Sequence, residues 1–598
     1  MPAKSPADIA DPTLTVVVNV NGSPIKDYYP VVSVSVSHEI NRISFAEIVL
    51  TDGNVETGDF PISDSEDFVP GNEIEIMAGY GGEARESIFT GVIVKQGIQI
   101  SAPSVFSLVV TCKHKAVSLT FNKKDESYSE KTDSDIIQAI ASKHSITCSV
   151  QSTSVEQEFV VQKQATDWDF ILSRAEFYGY IITPNKAGLK IAEPALSGSP
   201  VLRVAFGDSI IAFEAELNAE HQPPELEAVA WDIKNQVLLK SDASEPSLNG
   251  QGNISAKDLS DALSQSKLSL ASGTPMAQAE LTAWADGRLL RMRLASLTGS
   301  VTFNGSAALM PGELIELEGV GARFNGKAFV SAVNHTMEEG HWKTQAVFGL
   351  EDHPVYEKEN FSYTPAAGQL PAVHGLQIAT VKSIFEDPES QFRIQLTIPS
   401  NAENQDGVWA RVSNFYATAN AGAAFLPEVG DEVVVGFLES NPRYPIVLGS
   451  LYSTTLASPN PAKDEKNYIK ALITKSQLKL SFDDEKKIIK IETPGGNKVT
   501  LDDDGKAVEL VDQNGNSIKM SSSGIEINSG KDITIKATGG ITLDATGKLG
   551  LTAAQDVAVS GLNISNTANV GFTAKGNATA ELSASGQTTV KGAIVMIN

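Results

Sequence analysis

The side chains that carry most enzyme chemistry are sparse in this sequence and do not fall into a catalytic spacing. The chain has eight His, the last of them His374. His335 and His341 flank an expected hairpin turn and have the side-chain type of metal ligands, but their positions favour a structural role. The sequence holds no HExxH, no Walker loop, no GxSxG and no CxxC. We therefore expect no catalytic residue, no bound metal and no cofactor.

Clustered aspartates and the cysteines lead to the same expectation. Asp502-Asp503-Asp504-Gly505 resembles the start of a calcium-binding loop but lacks the rest of the ligand pattern, so it is interpreted as a solvated turn, as is Asp483-Asp484. Cys112 and Cys148 each lie inside an apolar-patterned stretch. Two buried thiols are therefore favoured over a disulfide or a metal pair.

The charge and the apolar pattern exclude two classes of protein. The formal net charge is -26, with 47 Lys and Arg against 73 Asp and Glu in 598 residues. A nucleic-acid or anionic-membrane binder needs a basic surface, so neither is expected as a partner. No run of 18 apolar residues occurs, and the N-terminal residues lack the apolar core of a signal peptide. We expect synthesis in the cytoplasm without a signal peptide.

The C-terminal stretch 497–598 has the pattern that organises the chain. Short runs alternate between apolar and polar residues, and a Gly or Asn turn closes each run. This period of two is typical of strands, and its repetition indicates a β-helix or solenoid. The apolar pairs are Val499 and Leu501, Val508 and Leu510, Ile525 and Ile527, Ile533 and Ile535, and Ile541 and Leu543.

The composition of this stretch favours an assembly of three chains. From Ile541 onward most residues are Thr, Ala, Ser, Asn or Gly, so one chain would bury little apolar surface against a large ordering entropy. Three intertwined chains would bury the apolar stripe of each and pair the strand edges. The sequence predicts a trimeric β-helix needle. A single-chain solenoid and a disordered tail are the alternatives.

The remaining sequence predicts a mainly β protein of several domains. Many short strands with helical insertions indicate a hub of two related barrels at 1–352, and the helices are expected after Thr132 or Ser134, after Thr166 or Asp167, and at 277–294. A linker at 353–372 precedes a small barrel of the oligonucleotide/oligosaccharide-binding (OB) type at 373–453. A second linker at 454–475 precedes the needle at 476–598.

The small barrel resembles a known family. The resemblance lies in the block Trp409-Ala-Arg-Val, the run from Phe425 to Phe437 (FLPEVGDEVVVGF) and the run from Asn441 to Tyr452 (NPRYPIVLGSLY). These features resemble the gp5-type barrel of VgrG spike proteins, the tip proteins of type VI secretion systems and related contractile injection machines. TDWDFILSRAEFYGY is similar to the hub helix of the same family, and the C-terminal repeats are similar to its needle.

The resemblance implies a homotrimeric, non-enzymatic spike. Its hub would contact the hexameric tube ring protein and baseplate proteins, and would adapt the six-fold tube to a three-fold needle. The needle would pierce a target membrane mechanically, carry a PAAR-type tip protein and effectors, and be expelled when the sheath contracts. The short linker leaves no room for the lysozyme-like domain of some relatives. We also expect no enzymatic extension after Asn598, and no His-ligated metal tip, since no His follows His374.

Two groups of residues receive specific roles. Trp409, Pro427, Gly430, Asp431, Pro445 and Gly449 are expected to define the barrel: Pro427 and Gly430 shape a turn, and Asp431 bonds its own backbone there. Ile594, Val595, Met596 and Ile597 form an apolar strand that is expected to be buried in the trimer and to expose a blunt end to a tip cap.

Other functions remain as alternatives to the secretion spike. A phage or phage-like tail spike would have the same architecture. A glycan-binding or enzymatic β-helical fibre would need exposed aromatics or clustered carboxylates on its repeats. The region after Asp504 has no Trp or Tyr and one Phe, Phe572, which argues against the fibre. A secreted adhesin is disfavoured because no signal peptide is recognised.

Overall fold

The computed structural model describes residues 4–7, 11–81, 84–101, 105–185, 188–232, 235–272, 275–353, 370–398, 407–462 and 464–597. The chain divides into two compact units, Met1–Leu451 and Tyr452–Asn598, which are treated separately below. Most of the predicted linker at 353–372 lies outside the described residues. Among the described helices, none has the length and apolar character needed to span a membrane.

Strands form most of the hub. They are β1 Leu14–Val20, β2 Ser23–Pro24, β3 Val31–Glu39, β4 Phe45–Thr51, β5 Glu73–Tyr80, β6 Glu86–Ser101, β7 Val105–Lys113, β8 Lys124–Thr132, β9 Thr147–Val150, β10 Glu156–Ala165, β11 Ile181–Asn185, β12 Gly188–Ala192, β13 Leu202–Ala205, β14 Ile210–Leu217, β15 Leu226–Asp232, β16 Val237–Asp242, β17 Leu268–Ser272, β18 Leu297–Asn304, β19 Leu314–Glu318, β20 Gly326–Glu338 and β21 His341–Phe348.

A 13-stranded sheet joins the two halves of the hub. The joint is the antiparallel pair β3–β20, in which Val36 lies opposite His335 and His38 lies opposite Val333. One edge of β20 pairs with β21, and its other edge pairs first with β19 and then with β3. The sequence predicted two barrels. The described strands instead share one sheet, because the long strand β20 continues past the end of β19 and pairs with β3.

Each half of this sheet nevertheless has its own hydrophobic core. Fully buried Ile48 and Phe68 belong to the core of the N-terminal half. Fully buried Phe303 and Phe348 belong to the core of the C-terminal half. The sheet therefore packs on two separate cores, and the relatedness of the two halves stays a prediction.

The helices are α1 Asp133–Lys143, α2 Asp167–Phe177, α3 Ala256–Ala262 and α4 Gln278–Leu294. The Thr132 hydroxyl accepts from the amide N–H of Asp135, and the Thr166 hydroxyl accepts from that of Asp169, which confirms the first of each pair of predicted caps. α4 is also confirmed. The short helix α3 was not predicted, although its capping box, Ser255 with Asp258, is readable in the sequence.

The small barrel closes as predicted. It consists of β22 Gln377–Ser383, β23 Arg393–Thr397, β24 Val408–Val412, β27 Glu432–Phe437 and β28 Pro445–Ser450, with the two-residue strands β25 Ala417–Thr418 and β26 Ala421–Gly422 forming a separate hairpin. Val433 and Val435 are fully buried, and Phe437 packs against the same core. Their spacing of two residues therefore points these side chains inward, as the alternation predicted.

The second unit begins with a ladder of antiparallel strands, each paired with the next. These are β29 Ile469–Ile473, β30 Lys479–Asp483, β31 Ile488–Glu492, β32 Lys498–Asp502, β33 Ala507–Val511, β34 Ser517–Ser521 and β35 Gly524–Asn528. β29 lies within the predicted linker 454–475, so the ladder begins earlier than residue 476. The cause is the alternation of Ile469, Ala471 and Ile473, which fits this stretch to pair with β30.

The ladder also differs from the predicted winding. An intertwined β-helix would pair strands of different chains, whereas β29–β35 pair within one chain as a meander. Tight turns such as Asp512 to Asn516, where Asp512 accepts from two backbone N–H groups, return each strand beside its predecessor. The intertwined winding therefore stays a prediction for residues 529–597.

Candidate oligomerisation interface

The histidines that have the side-chain type of metal ligands do not converge. His335 is buried, accepts from the indole N–H of Trp342 at 3.3 Å and lies 2.9 Å from the Thr344 hydroxyl. Burial lowers the pKa of His335 to about 3, which keeps the ring neutral. His341 lies exposed at the start of β21, opposite Glu338. Across the described parts of the chain, no group of three or more His, Cys, Asp or Glu is arranged to hold a metal ion.

The aspartate clusters are turns. Asp502 accepts from the backbone N–H of Gly505 at 2.7 Å, which closes the turn between β32 and β33. Asp483 accepts from the N–H of Lys486 at 3.0 Å between β30 and β31. Each carboxylate is satisfied by its own turn, as the sequence predicted.

The two cysteines are free thiols with no sign of reactivity. Cys112 is buried in β7, and Cys148 is half-buried in β9. Burial raises the pKa of Cys112 to about 12 and that of Cys148 to about 11, so both thiols stay protonated near neutral pH.

The ladder carries an apolar face that the described residues of its own unit do not cover. Antiparallel partners lie on the same side of a sheet, so the strand register assigns each side chain to a face. Several side chains of this face are strongly exposed, including Ile491 at 53% and Ile525 at 72%. The face consists of Leu472, Leu480, Phe482, Ile489, Ile491, Val499, Leu501, Val508, Leu510, Ile518, Met520, Ile525 and Ile527, together with Lys470, which lies opposite Phe482 on the first strand.

The opposite face of the ladder is mainly polar, although it also carries Ile469, Ile473, Ile488 and Val511. One row places Glu509 opposite Lys519, which in turn lies opposite Glu526. A second row places Glu492 opposite Lys498. Alternating charges of this kind suit a solvated face, while an apolar face of this size requires a partner. We call the apolar side the ladder face.

Residues 529–597 present a second unsatisfied surface. This stretch contains backbone bends at regular intervals, but its described residues form no strand, helix or hydrogen-bonded turn. Buried backbone N–H and C=O groups are almost always paired, so an ordered stretch of this kind takes its hydrogen bonds from water or from other chains. Its apolar residues, among them Ile535 and Leu551 at 70% exposure each, are uncovered as well.

The predicted barrel residues occupy two places in the barrel. Gly430 has φ +94° and donates its N–H to the Val381 carbonyl at 2.9 Å, which ties the turn before β27 to β22. Asp431 accepts from the N–H of Glu428 at 2.8 Å in the same turn, and Pro427 is buried beside it. The predicted turn chemistry is therefore present.

The other barrel residues lie on strands. Trp409 of β24 has the guanidinium of Arg393 at 6.0 Å from its ring. Pro445 is buried at the start of β28 opposite Phe437, and Gly449 lies opposite Val434, next to a register shift. None of these positions brings reactive side chains together, and their fold-defining role stays a prediction.

The four predicted tip residues do not share one conformation. A bend at residues 593–594 includes Ile594, and Val595, Met596 and Ile597 follow it. Met596 and Ile597 are 86% and 91% exposed, and Val595 is 49% exposed. Ile594 thus belongs to a bend rather than to a strand, while the other three residues stay candidates for contact with a partner.

Sequence reasoning missed the first part of the ladder face. Leu472, Leu480 and Phe482 continue the same rows as the pairs that were recognised from Val499 onward. The alternation was readable in Lys479–Asp483 and Ile488–Glu492. The register that places these strands on one face was not, because it depends on the turn lengths between them.

Comparisons with known families cover most of the chain. The Alg8 N-terminal domain family matches residues 10–339. The type VI secretion system/phage-baseplate injector OB domain matches residues 377–452, the region of the closed barrel. The phage baseplate V C-terminal trimerisation domain matches residues 488–542, which include most of the ladder.

Curated relatives match over shorter segments. The actin cross-linking toxin VgrG1 of Vibrio cholerae is 34% identical over 103 residues, 16% of this chain and 9% of that protein. The type VI secretion system spike protein VgrG1a of Pseudomonas aeruginosa is 26% identical over 161 residues, 25% of each chain. The matches thus span a quarter or less of these relatives. The E. coli c3393 protein, a component of the type VI secretion system, aligns with a TM-score of 0.38 and 13% identity, covering 73% of this chain and 99% of that one.

The hub match extends over more than half of the chain, and the barrel and the trimerisation domain follow it in order. The chain belongs to the family defined by the Alg8 N-terminal domain and is a VgrG-type spike protein.

Proposed function

We propose that three copies of this chain assemble through the ladder face into the non-enzymatic spike of a contractile injection machine. The observation that carries the proposal is the apolar face of β29–β35, two rows of large side chains that the described residues of the same unit leave exposed. The family description of residues 488–542 as a trimerisation domain supports three copies rather than two.

The energetics favour burial of this face. Full burial of a Leu, Ile or Phe side chain contributes about 1.5–3 kcal/mol relative to exposure. Since many of these residues are already half covered by their strand neighbours, the gain is on the order of 10 kcal/mol per chain. That amount is comparable with the whole stability of a typical domain. A chain with this face exposed to water would be prone to aggregate, so assembly and solubility are linked.

The same assembly would satisfy residues 529–597. In three intertwined chains each strand would hydrogen-bond to strands of the other two copies, which removes the free edges. The apolar residues of the stretch would point to the common axis. A sheet that closes on itself in this way resists bending and shear, since many backbone hydrogen bonds must break together.

The proposed work of the spike is mechanical. Its hub would join the hexameric tube and the baseplate to a three-fold needle, which would pierce a target membrane on contraction and carry a tip protein or effectors. The protein would be made in the cytoplasm and expelled with the machine. The descriptions of the relatives as spike proteins of type VI secretion systems support this role. Because the barrel family also covers phage baseplates, a phage-like tail spike is the second candidate.

A matched pair of variants tests the proposal. Leu501→Asp places a charge on the ladder face, whereas Thr500→Asp places it on the opposite face between Lys490 and Glu509. In cells that make the machine and lack their own copy of the spike, we expect Leu501→Asp to abolish release of the tube ring protein and Thr500→Asp to retain it. Normal release by a monomeric Leu501→Asp protein would overturn the proposal.

The tip contact needs its own experiment. We propose that Val595, Met596 and Ile597 bind a PAAR-type cap through their exposed apolar side chains. Met596→Asp should abolish capture of a purified cap protein by the assembled spike, while Lys591→Asp, nearby and already polar, should not. Unchanged capture after removal of residues 594–598 would contradict this assignment.

A further inference from the structure

The bends in residues 529–597 recur with a period of eight that is broken once. Each bend ends at one of the residues Lys531, Gly539, Gly547, Gln555, Leu562, Val570, Ala578, Gly586 and Ile594, and all but the bend at Leu562 comprise two residues. Successive positions are eight residues apart except from Gln555 to Leu562, where the spacing is seven. The bend at Leu562 is also the one that comprises a single residue. A residue equivalent to Ala554 or Asn569, the first residue of each neighbouring bend, is therefore missing there.

The apolar pattern shifts at the same place. Before the short unit, apolar pairs follow each bend at Ile533 and Ile535, Ile541 and Leu543, Leu549 and Leu551, and Val557 and Val559. After it, the equivalent positions begin at Ile564, seven residues after Val557. Loss of one residue would turn all later side chains to the opposite face if the bends did not move with them. Because bends and apolar residues shift together, the repeat restarts in register.

The repeats on the two sides of this point differ in composition. Before it, each unit offers two large apolar side chains. After it, each complete unit offers one, in turn Ile564, Phe572, Leu582 and Val590, paired with Asn566, Ala574, Ala580 and Thr588. A repeat array gains stability from each unit and from the contacts between neighbouring units. The second part therefore buries less per unit, and its contact with the first part is interrupted.

The side chain at the break also differs in exposure. Leu562 is 100% exposed and Val570, the next residue at the same position of the repeat, is 103% exposed. By comparison, Ile533 and Ile541, each two residues after a bend, are 55% exposed. Leu562 and Val570 thus make almost no contact with the rest of their own chain.

We infer that the needle consists of two separately stable segments, residues 530–561 and residues 562–597, joined at the seven-residue unit. The second segment unfolds before the first segment does, and it refolds while the first segment stays folded. This inference rests on the proposed trimeric needle, since a single chain has no axis on which the segments could form. The junction is a built-in point of flexibility, at which the tip-proximal part of the needle can unfold locally while the three chains stay together.

Hydrogen exchange of the full-length protein, followed by mass spectrometry, tests the inference. We expect amides of the second segment to exchange about tenfold faster than those of the first, with the change located at the junction. Insertion of Asn between Gly561 and Leu562 restores the period of eight, as in Gly576-Asn577-Ala578, and should slow exchange in the second segment. Deletion of Thr546 creates a second seven-residue unit in the first segment and should speed exchange there.

The outcomes separate this inference from the proposed function. Two results together would overturn the two-segment needle and leave the trimeric spike intact. The amides of the trimer would exchange at one rate along the whole needle, and the Asn insertion would speed exchange as the Thr546 deletion does. A single-chain mass together with unprotected amides throughout 529–597 would overturn both. If the variants fail to assemble, the exchange profile of the unmodified protein decides alone, since a profile without a step at the junction contradicts the inference.

Discussion

Ile491 of β31 and Val499 of β32 lie directly opposite each other on the ladder face. Ile491 remains 53% exposed despite this contact, because a neighbour in the same sheet covers only the flank of a side chain. The contact belongs to rows that continue across all seven strands. A second layer must pack on these rows to bury them, and the following predictions depend on that packing or on the hub that precedes it.

The first prediction concerns salt. Lys470, opposite Phe482, is the only charged residue that β29–β35 place on the ladder face, and residues 454–598 hold 16 Lys and 16 Asp or Glu. Screening by salt acts on charges and leaves apolar contacts in place. The trimer should therefore persist when NaCl is raised from 0.1 to 1 M. Over this range the Debye length falls from about 10 to about 3 Å. Dissociation at high salt, measured by analytical ultracentrifugation, would point to a charged interface instead.

The second prediction concerns pH. Burial, together with the neighbouring His38, lowers the pKa of His335 to about 3. The pKa of His114 is lowered to about 4, mainly by burial. Unfolded histidines titrate near 6.5, so below that pH the unfolded state binds more protons than the folded state. The free energy of unfolding should fall as the pH falls from about 6.5 toward 4, by several kcal/mol in total.

His335→Gln provides the control for this pH dependence. Glutamine can still accept from Trp342 but cannot titrate, so the slope of stability against pH between about 6.5 and 5 should flatten. In that window Glu126 contributes little, since its pKa, lowered to about 2 by Lys143 and Lys124, affects stability only at lower pH. An unchanged slope in urea unfolding curves would exclude His335 as its source.

The third prediction concerns Arg293, which is 2% exposed in α4. Its guanidinium donates to both carboxylate oxygens of Glu245 at 2.8 and 2.9 Å and to the Pro223 carbonyl at 2.9 Å. Arg293→Met removes this donor from the Pro223 carbonyl and from the buried side chain of Gln222, and should lower the free energy of unfolding by about 1–3 kcal/mol. Arg203→Met removes a half-exposed pair with Glu318 and should cost under about 1 kcal/mol. Equal losses in urea unfolding would contradict this reasoning.

The fourth prediction concerns two glycines between α2 and α4. A Cβ on Gly287 would lie 2.6 Å from the backbone nitrogen of Gly179, too close for any side chain. Gly287→Ala must separate the two segments and should lower the melting temperature of the hub by several degrees, as expected for a loss of about 1–3 kcal/mol. Gly97→Ala, with nothing within 4 Å of the added carbon, should leave the melting temperature nearly unchanged.

Local patterns predicted the local structure well. The caps Thr132 and Thr166, the alternation of Val433 and Val435 and the turn at Gly430 all depend on neighbouring residues, and all are present. The sequence also showed that the C-terminal strands have one apolar and one polar face. A strand with one apolar face requires a partner. The assignment of Asp502 to a turn followed from the same local chemistry.

Features that depend on distant pairing were not readable. The joint between His38 on β3 and Val333 on β20 links residues almost three hundred positions apart, and no local pattern specifies it. Likewise, the return of each ladder strand beside its predecessor depends on turn geometry rather than on alternation. A strand in which apolar and polar residues alternate fits a meander and an intertwined helix equally well. The intertwined winding was therefore predicted for every stretch with this alternation.

The mass of the full-length protein in solution tests the central claim most directly. Light scattering at micromolar concentration should give three times the 63.5 kDa of one chain. The Leu501→Asp variant should lose that mass, and the Thr500→Asp variant should keep it. A single-chain mass for the unmodified protein would contradict the account, because the ladder face would then be stable in water without a partner.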